Sequence, residues 1–420
     1  MCSIIHSWSQ KHGTRYPKIS HNIYFKTKEQ NLSYFIFSYN GASSLVSLTE
    51  KVTSGRPGHG NVTFLNRNSA GSNFLRPFLI SLEKDTEECT VRISNGHEEE
   101  ISNLENKTFV VRDKKVTIEY LVLPCMRDGK EVRVLAQEVL KKEAKKGNFL
   151  KNWPEKKSVK IDNNTCTICL ERPQLYNSMK SFNFPPILFD RMKKYGFSTM
   201  HKRVRNFEFQ WKGAERKESK LTGVNLKTVR HNWQKELREL TGIDPFRPDH
   251  INRGNTNDGN LSRRFHQEHF LSSSVVKLDS KIIALMGVLL DMLNSTYFQD
   301  PKTYRALAIV THKLIVNDLG DYVNISGCVH STLCHGDLFI RYAQAELGVP
   351  LGFLTENSIE MGNKDNKQYK QIFSRKNDLG KETKDVFVRR LIMSDPILNI
   401  DEATIQNYKK CIDLTISTIL

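Results

Sequence analysis

No apolar run in the chain is long enough to span a bilayer. The longest, Ile282 to Leu293, is interrupted by Gly287 and Asp291, whereas a membrane helix needs about 20 apolar residues. The N-terminal stretch Met1-Cys2-Ser3-Ile4-Ile5-His6 lacks a charged start followed by a hydrophobic segment, so no secretory leader is expected. Internal repeats are also missing, which argues against a solenoid. Cysteine is sparse, at 8 in 420 residues. In a chain read as soluble and intracellular, thiols stay reduced, so a disulfide framework is not expected and burial or metal ligation is their default role. Acid is the minority charge: 46 Asp plus Glu against 63 Lys plus Arg leave +17. The resulting positive field attracts polyanions, and nucleic acid is the leading partner.

What remains is an ordinary globular composition, 38% apolar and 26% charged, long enough for two or three units with a substantial core. Residues 1–30 are polar and without a clear period, and read as an arm. From Leu32 to Ser38 aromatic and branched residues form a strand pattern that stops at the Asn40-Gly41 turn signal. A loop rich in Gly, Ser and Asn runs from Thr53 to Ser72. Phe78–Leu82, Thr90–Ile93 and, most strongly, Val116–Leu123 suggest further strands, and the last leads through Asp128 into a helical pattern over Glu131–Lys145. An acid between a strand and a helix is a frequent way to present a catalytic carboxylate. Between about 150 and 350 the pattern is helical and lysine-rich, chiefly Ser181–Leu240 and Val275–Leu319. Helices are again expected over Thr355–Phe373 and Val386–Met393.

Two constellations stand out by spacing. Cys166 and Cys169 have two residues between them, and His330 and His335 are five positions apart. Two thiolates and two imidazoles make a closed tetrahedral set for structural zinc, with no position left for substrate. Cys328 and Cys334 lie beside the histidines, so spacing alone leaves the ligand choice in that segment open. Farther on, Glu356 and Glu360 share a helix face, with Lys364 and Lys367 on the same side. Paired carboxylates invite a cation, and lysines one turn later suit a phosphate backbone. A solvated face of mixed charge is the plainer reading of the same pattern.

The stretch Leu354-Thr355-Glu356-Asn357-Ser358-Ile359-Glu360-Met361-Gly362-Asn363-Lys364-Asp365 resembles the surroundings of the catalytic glutamate in Transib transposases and the RAG recombinase catalytic subunit, with Glu360 at the matching position. The resemblance extends through Phe373-Ser374-Arg375-Lys376 and Asp385-Val386-Phe387 to Ser394-Asp395-Pro396. Gly254-Asn255-Thr256-Asn257-Asp258-Gly259-Asn260-Leu261-Ser262-Arg263-Arg264-Phe265 is similar to a further Transib signature, and the Cys166/Cys169 and His330/His335 pairs match the family zinc site in order and type. The similarity covers roughly residues 32–400. It implies an α/β fold: a ribonuclease-H-like, mixed-sheet catalytic domain split by a mainly helical, zinc-stapled insertion. The implied segments are an arm at 1–30, the first catalytic part at 31–150, the insertion at 151–350 and the second catalytic part at 351–420.

The resemblance also implies chemistry: DNA nicking and hairpin formation at element ends by two-metal phosphoryl transfer. Asp128 matches the second catalytic aspartate and Glu360 the glutamate; both would hold magnesium or manganese. The first aspartate is replaced by Asn40, in Ser38-Tyr39-Asn40-Gly41. Two divalent ions about 4 Å apart depend on bridging carboxylates, and an amide offers only a neutral oxygen. Strand cleavage is therefore expected to be weak or absent, and an inactive DNA-binding descendant is the alternative. Arg263, Arg264, Lys364, Lys367, Arg375 and Lys376 are the DNA-contact candidates, with guanidiniums and a positive helix end suited to phosphate. The implied partners are DNA and either a second copy of the chain or an accessory recombinase subunit. The implied location is nuclear, without a membrane. Only about forty residues precede Asn40, so the end-recognition and dimerisation segments found upstream in the family are expected to be absent or supplied elsewhere.

Overall fold

The computed structural model describes residues 23–26, 33–39, 42–44, 75–77, 86–103, 107–111, 114–120, 129–146, 160–162, 164–171, 185–246, 248–249, 254–255, 257–354, 357–375 and 378–393. The chain divides into two compact units, Met1–Met126 with Glu356–Leu420, and Arg127–Thr355.

In the first unit the strands are β1 (Ile23–Lys26), β2 (Ser33–Tyr39), β3 (Ala42–Ser44), β4 (Leu75–Pro77), β5 (Lys107–Val111) and β6 (Lys114–Tyr120), with helix α1 (Glu87–Ser102) between β4 and β5. The sheet order is β4-β3-β2-β1-β6-β5 and every described ladder is antiparallel. The expected mixed-sheet, ribonuclease-H-like α/β domain is therefore corrected. Ile23 pairs with Ile36 on one side and Tyr120 on the other, so β1, read as part of a featureless arm, separates two strands that run parallel to each other. The residues described with their side chains are moreover 75% helical, and none of them lies in a strand. The strand expected at Thr90–Ile93 is also overturned, because those residues lie inside α1. Their branched side chains favour a strand, but the Thr86 hydroxyl accepts from the Cys89 N–H at 3.1 Å, and Glu87 and Glu88 complement the helix dipole in the first turn.

The second unit is helical. It runs through α2 (Gly129–Lys146), a short α3 (Phe189–Met192), α4 (Thr199–Thr222) and α5 (Leu226–Thr241), then the two-residue strands β7 (Pro248–Asp249) and β8 (Gly254–Asn255). It continues with α6 (Gly259–Gln267), α7 (His269–Val276), α8 (Ser280–Asn294), α9 (Pro301–Leu319) and α10 (Gly327–Ala345). In α4, Phe207, Trp211 and Ala214 are buried at helical spacing, and the helix stops at Gly223, whose φ of 71° is the left-handed value that glycine adopts without strain. In α5, Val229, Trp233 and Leu237 line one face, and Asn225 caps the start by accepting from the Lys227 N–H at 2.8 Å. The long apolar run of the sequence becomes α8, where Ile282, Ile283, Met286, Leu289, Leu290 and Leu293 are buried against α4, α6, α7 and α9. Burial of each such side chain contributes roughly 1.5–3 kcal/mol, which makes α8 the centre of this unit. Among the described residues no helix is long and apolar enough to cross a membrane.

Two further helices, α11 (Asn357–Ile372) and α12 (Leu379–Met393), belong to the first unit and pack on each other and on β4. Across their faces Arg390, only 2% exposed, donates to Asp365 at 2.8 Å, and Lys370 meets Glu382 at 3.0 Å.

Candidate functional site

The thiol pair sits on a tight loop whose backbone folds back on itself. The Leu170 N–H donates to the Cys166 carbonyl and the Cys166 N–H to the Glu171 carbonyl, both at 2.9 Å. Leu170 accepts a left-handed φ of 62° to close this loop, and its side chain is buried. Ahead of the loop, Asp162 Oδ1 accepts from the Asn164 N–H and the Thr165 hydroxyl, each at 2.9 Å. The Leu188 N–H donates to the Ile168 carbonyl at 2.8 Å and ties the loop to the segment before α3.

The imidazoles project from α10, which the Ser326 hydroxyl caps by accepting from the Val329 N–H. A side chain at Gly327 would place its Cβ 2.4 Å from the Thr165 carbonyl oxygen and 2.9 Å from the Cys166 nitrogen. Glycine is thus what lets the first turn of α10 lie directly on the thiol loop. Behind α10, Tyr304 of α9 donates to the Thr332 carbonyl at 2.7 Å, and a Cβ on Gly336 would lie 2.4 Å from that tyrosine oxygen. From α4, Lys202 Nζ donates to the Ser331 hydroxyl at 2.6 Å and Asn206 Nδ2 to the Thr332 hydroxyl at 3.1 Å. The helix carrying the histidines is therefore fixed on three sides.

Cys166, Cys169, His330 and His335 meet in this frame, all buried, with one ligand atom of each lying within 4.8 Å of the others. Cys169 Sγ is 3.4 Å from His330 Nε2, and the two imidazole centroids are 5.2 Å apart. A tetrahedron with metal–sulfur bonds of about 2.3 Å has edges of about 3.8 Å, so small side-chain rotations close the cluster on a single ion. His335 Nε2 is buried and lacks a hydrogen-bond partner; a buried polar atom left in that state is costly, and a cation in the cluster would satisfy it. The four residues can hold a metal ion.

The electrostatics agree. Burial pushes the His330 imidazole down to about 4, so at neutral pH it is uncharged and its lone pair is available. The hydrogen bond with Cys166, together with burial, pushes the Cys169 thiol up. Burial would also raise Cys166, but its hydrogen bond with Cys169 and the nearby His335 and His330 hold it well below its usual value. The sulfur pair behaves as a thiolate and a thiol sharing a proton, which a dication would displace.

The other candidates are distributed differently. Asn40 and Asp128 lie outside the described residues, as do Glu356 and Lys376. Glu360 falls on α11, whose backbone alone is described at that position. Lys364 and Lys367 are exposed on the same helix. Arg375 is held by Asp385 through two side-chain hydrogen bonds of 2.9 and 2.7 Å, so its charge is already matched within the fold. Arg263 and Arg264 are exposed on α6, and Arg264 donates to the Thr241 carbonyl. The start of α6 is not an open positive end: the Asp258 carboxylate accepts from the Leu261 N–H at 2.7 Å and fills it. The distinctive string around it serves packing as well. Asn257 accepts from the Phe246 N–H at 2.8 Å, His266 lies 2.6 Å from the Ser262 carbonyl, and Phe265 stacks edge-on to Phe207 at 4.9 Å.

Sequence reasoning missed Gly327, Tyr304 and Lys202. A glycine three positions before a ligand histidine is a signal that could have been read; nothing marks Lys202 among so many lysines. No protein-family model and no curated protein matches the chain.

Proposed function

We propose that this chain is a DNA-binding protein of the Transib and RAG recombinase type, stabilised by a structural zinc ion on Cys166, Cys169, His330 and His335, in which strand cleavage is weak or absent. The observation that carries the reading is the convergence of those four side chains from positions up to 169 residues apart, in the order and type that the resemblance implies. Zinc is the ion of choice because two thiolates and two imidazoles suit its softness and tetrahedral preference, and a closed set gives it no open position for catalysis. The protein's residues position the ion, exclude water from it and hold α10 against the thiol loop. The net charge of +17 and the exposed Arg263, Lys364 and Lys367 support attraction to a phosphate backbone.

Asn40 favours DNA binding without efficient cutting, since an amide does not replace a bridging carboxylate between two magnesium or manganese ions. Nicking of supercoiled plasmid in either metal tests this directly. The wild-type chain is expected to nick little or not at all. Gain of nicking in Asn40→Asp, lost again on adding Glu360→Gln, would identify a scaffold disabled at one position. Efficient nicking by the wild type would refute weak cleavage, and absence of duplex binding at low salt would refute the DNA reading itself.

A further inference from the structure

Beside the thiol loop the second unit contains a cavity of about 100 Å³, the space of about three waters at liquid density. Its lining includes Lys202, Arg133, His201, Thr165, Ser331 and Asp162. Lys202 is 9% exposed, yet it makes no ion pair with a described carboxylate. Its ammonium donates to the Ser331 hydroxyl at 2.6 Å and sits 4.0 Å above the centre of the Phe197 ring. A buried ammonium strongly favours an anionic neighbour. A dication held by both sulfurs as thiolates would leave the adjacent cluster without net charge to offer. Asp162, the acid in the lining, already accepts from the Asn164 N–H and the Thr165 hydroxyl. Arg133 and His201 are half-exposed, whereas Lys202, Thr165 and Ser331 are buried. The lining thus combines a sequestered cation, whose hydroxyl partner Ser331 itself donates to the Cys328 carbonyl at 2.9 Å, with two partly exposed basic side chains.

We infer that this cavity binds one phosphate group of a nucleic-acid backbone, with Lys202 supplying the buried charge and Arg133 and His201 engaging it from the solvent side. The assignment of nucleic acid as the source rests on the function proposed above; the anion chemistry rests on the cavity alone. A tetrahedral oxyanion fits the volume, and a guanidinium beside an ammonium is a recurring phosphate grip.

The test uses the full-length, metal-loaded chain, inorganic phosphate as the small probe and a short DNA duplex as the large one. Phosphate is expected to raise the melting temperature saturably, and Lys202→Met and Arg133→Gln are each expected to abolish that rise, Arg133→Gln with metal content unchanged. Both variants should bind duplex more weakly, with the slope of log affinity against log salt reduced by about one. Should Lys202→Met fail to fold, the surface-reaching Arg133→Gln carries the experiment. Wild-type phosphate response and salt slope in the variants would overturn the inference. Loss of the phosphate response with an unchanged slope would overturn the nucleic-acid source and assign the cavity to free phosphate. A wild type that binds no duplex at low salt would remove the parent function, while the phosphate arm would still decide the cavity.

Discussion

The thiol–imidazole cluster and the α11–α12 helix pair both draw together residues that are apart in the chain, by opposite means. The cluster is buried, made of two thiols and two imidazoles, and could hold a guest ion. The helix pair is joined by charges present from the outset: Arg375 with Asp385, Lys370 with Glu382, and Arg390 with Asp365. Desolvation makes the first arrangement strong and conditional; solvent makes most of the second weak and permanent. Counting charges does not separate the two, since burial decides what a charged or ligating group is worth.

The sharpest way to break this contrast is to remove the ion. Chelation, or Cys166→Ser, is expected to lower the stability of the Arg127–Thr355 unit on the order of 5 kcal/mol, which corresponds to roughly 10–20 °C in melting temperature. Calorimetry with and without chelator checks it, and an unchanged melt would show that packing alone holds the unit. Gly327→Ala comes next. Its Cβ would run into the Thr165 and Cys166 backbone rather than a yielding side chain, so about 3 kcal/mol is expected, accompanied by weaker metal retention in a competition with a chromophoric chelator. Full retention of metal would show that the loop can retreat.

The smallest effect belongs to Arg375→Gln. The guanidinium hydrogen bonds hold the Asp385 carboxyl down to about 2. A depressed acid stabilises the fold above its unfolded value near 3.8 and loses that contribution as pH falls through about 2. Because the pair is exposed, the melt at neutral pH should shift barely, and less in high salt. A large, salt-independent shift would mean that the helix pair depends on this contact far more than its exposure suggests.

How much was legible follows the same division. The ligand set could be read because thiols and imidazoles are few and their local spacings are narrow; what spacing could not give was Gly327, whose role appears only once two backbones meet. Helices α4, α5, α8 and α11 follow from their apolar periods, with Phe207, Trp211 and Ala214 a clear case. In the first unit β2 and β6 match expected strands, whereas β1, β3, β4 and β5 were not expected and the strand expected at Phe78–Leu82 lies outside the described residues. Ile23-Tyr24-Phe25-Lys26 is too brief to stand out from polar neighbours, yet its insertion between β2 and β6 sets the direction of both ladders. At Thr90–Ile93 a residue-level β preference lost to the cap from Thr86 and the acids of the first turn. Lys202 was invisible for a different reason: a lysine is ordinary until its surroundings exclude its counter-ion.

The separation of 161 residues between Cys169 and His330 also has a consequence during synthesis. At roughly 5–20 residues per second on the ribosome, the loop that carries the thiols emerges on the order of 10–30 s before the imidazoles. Throughout that delay the nascent chain offers only half a chelate, so an ion held by all four residues would be captured only after helices α4 to α9 have emerged.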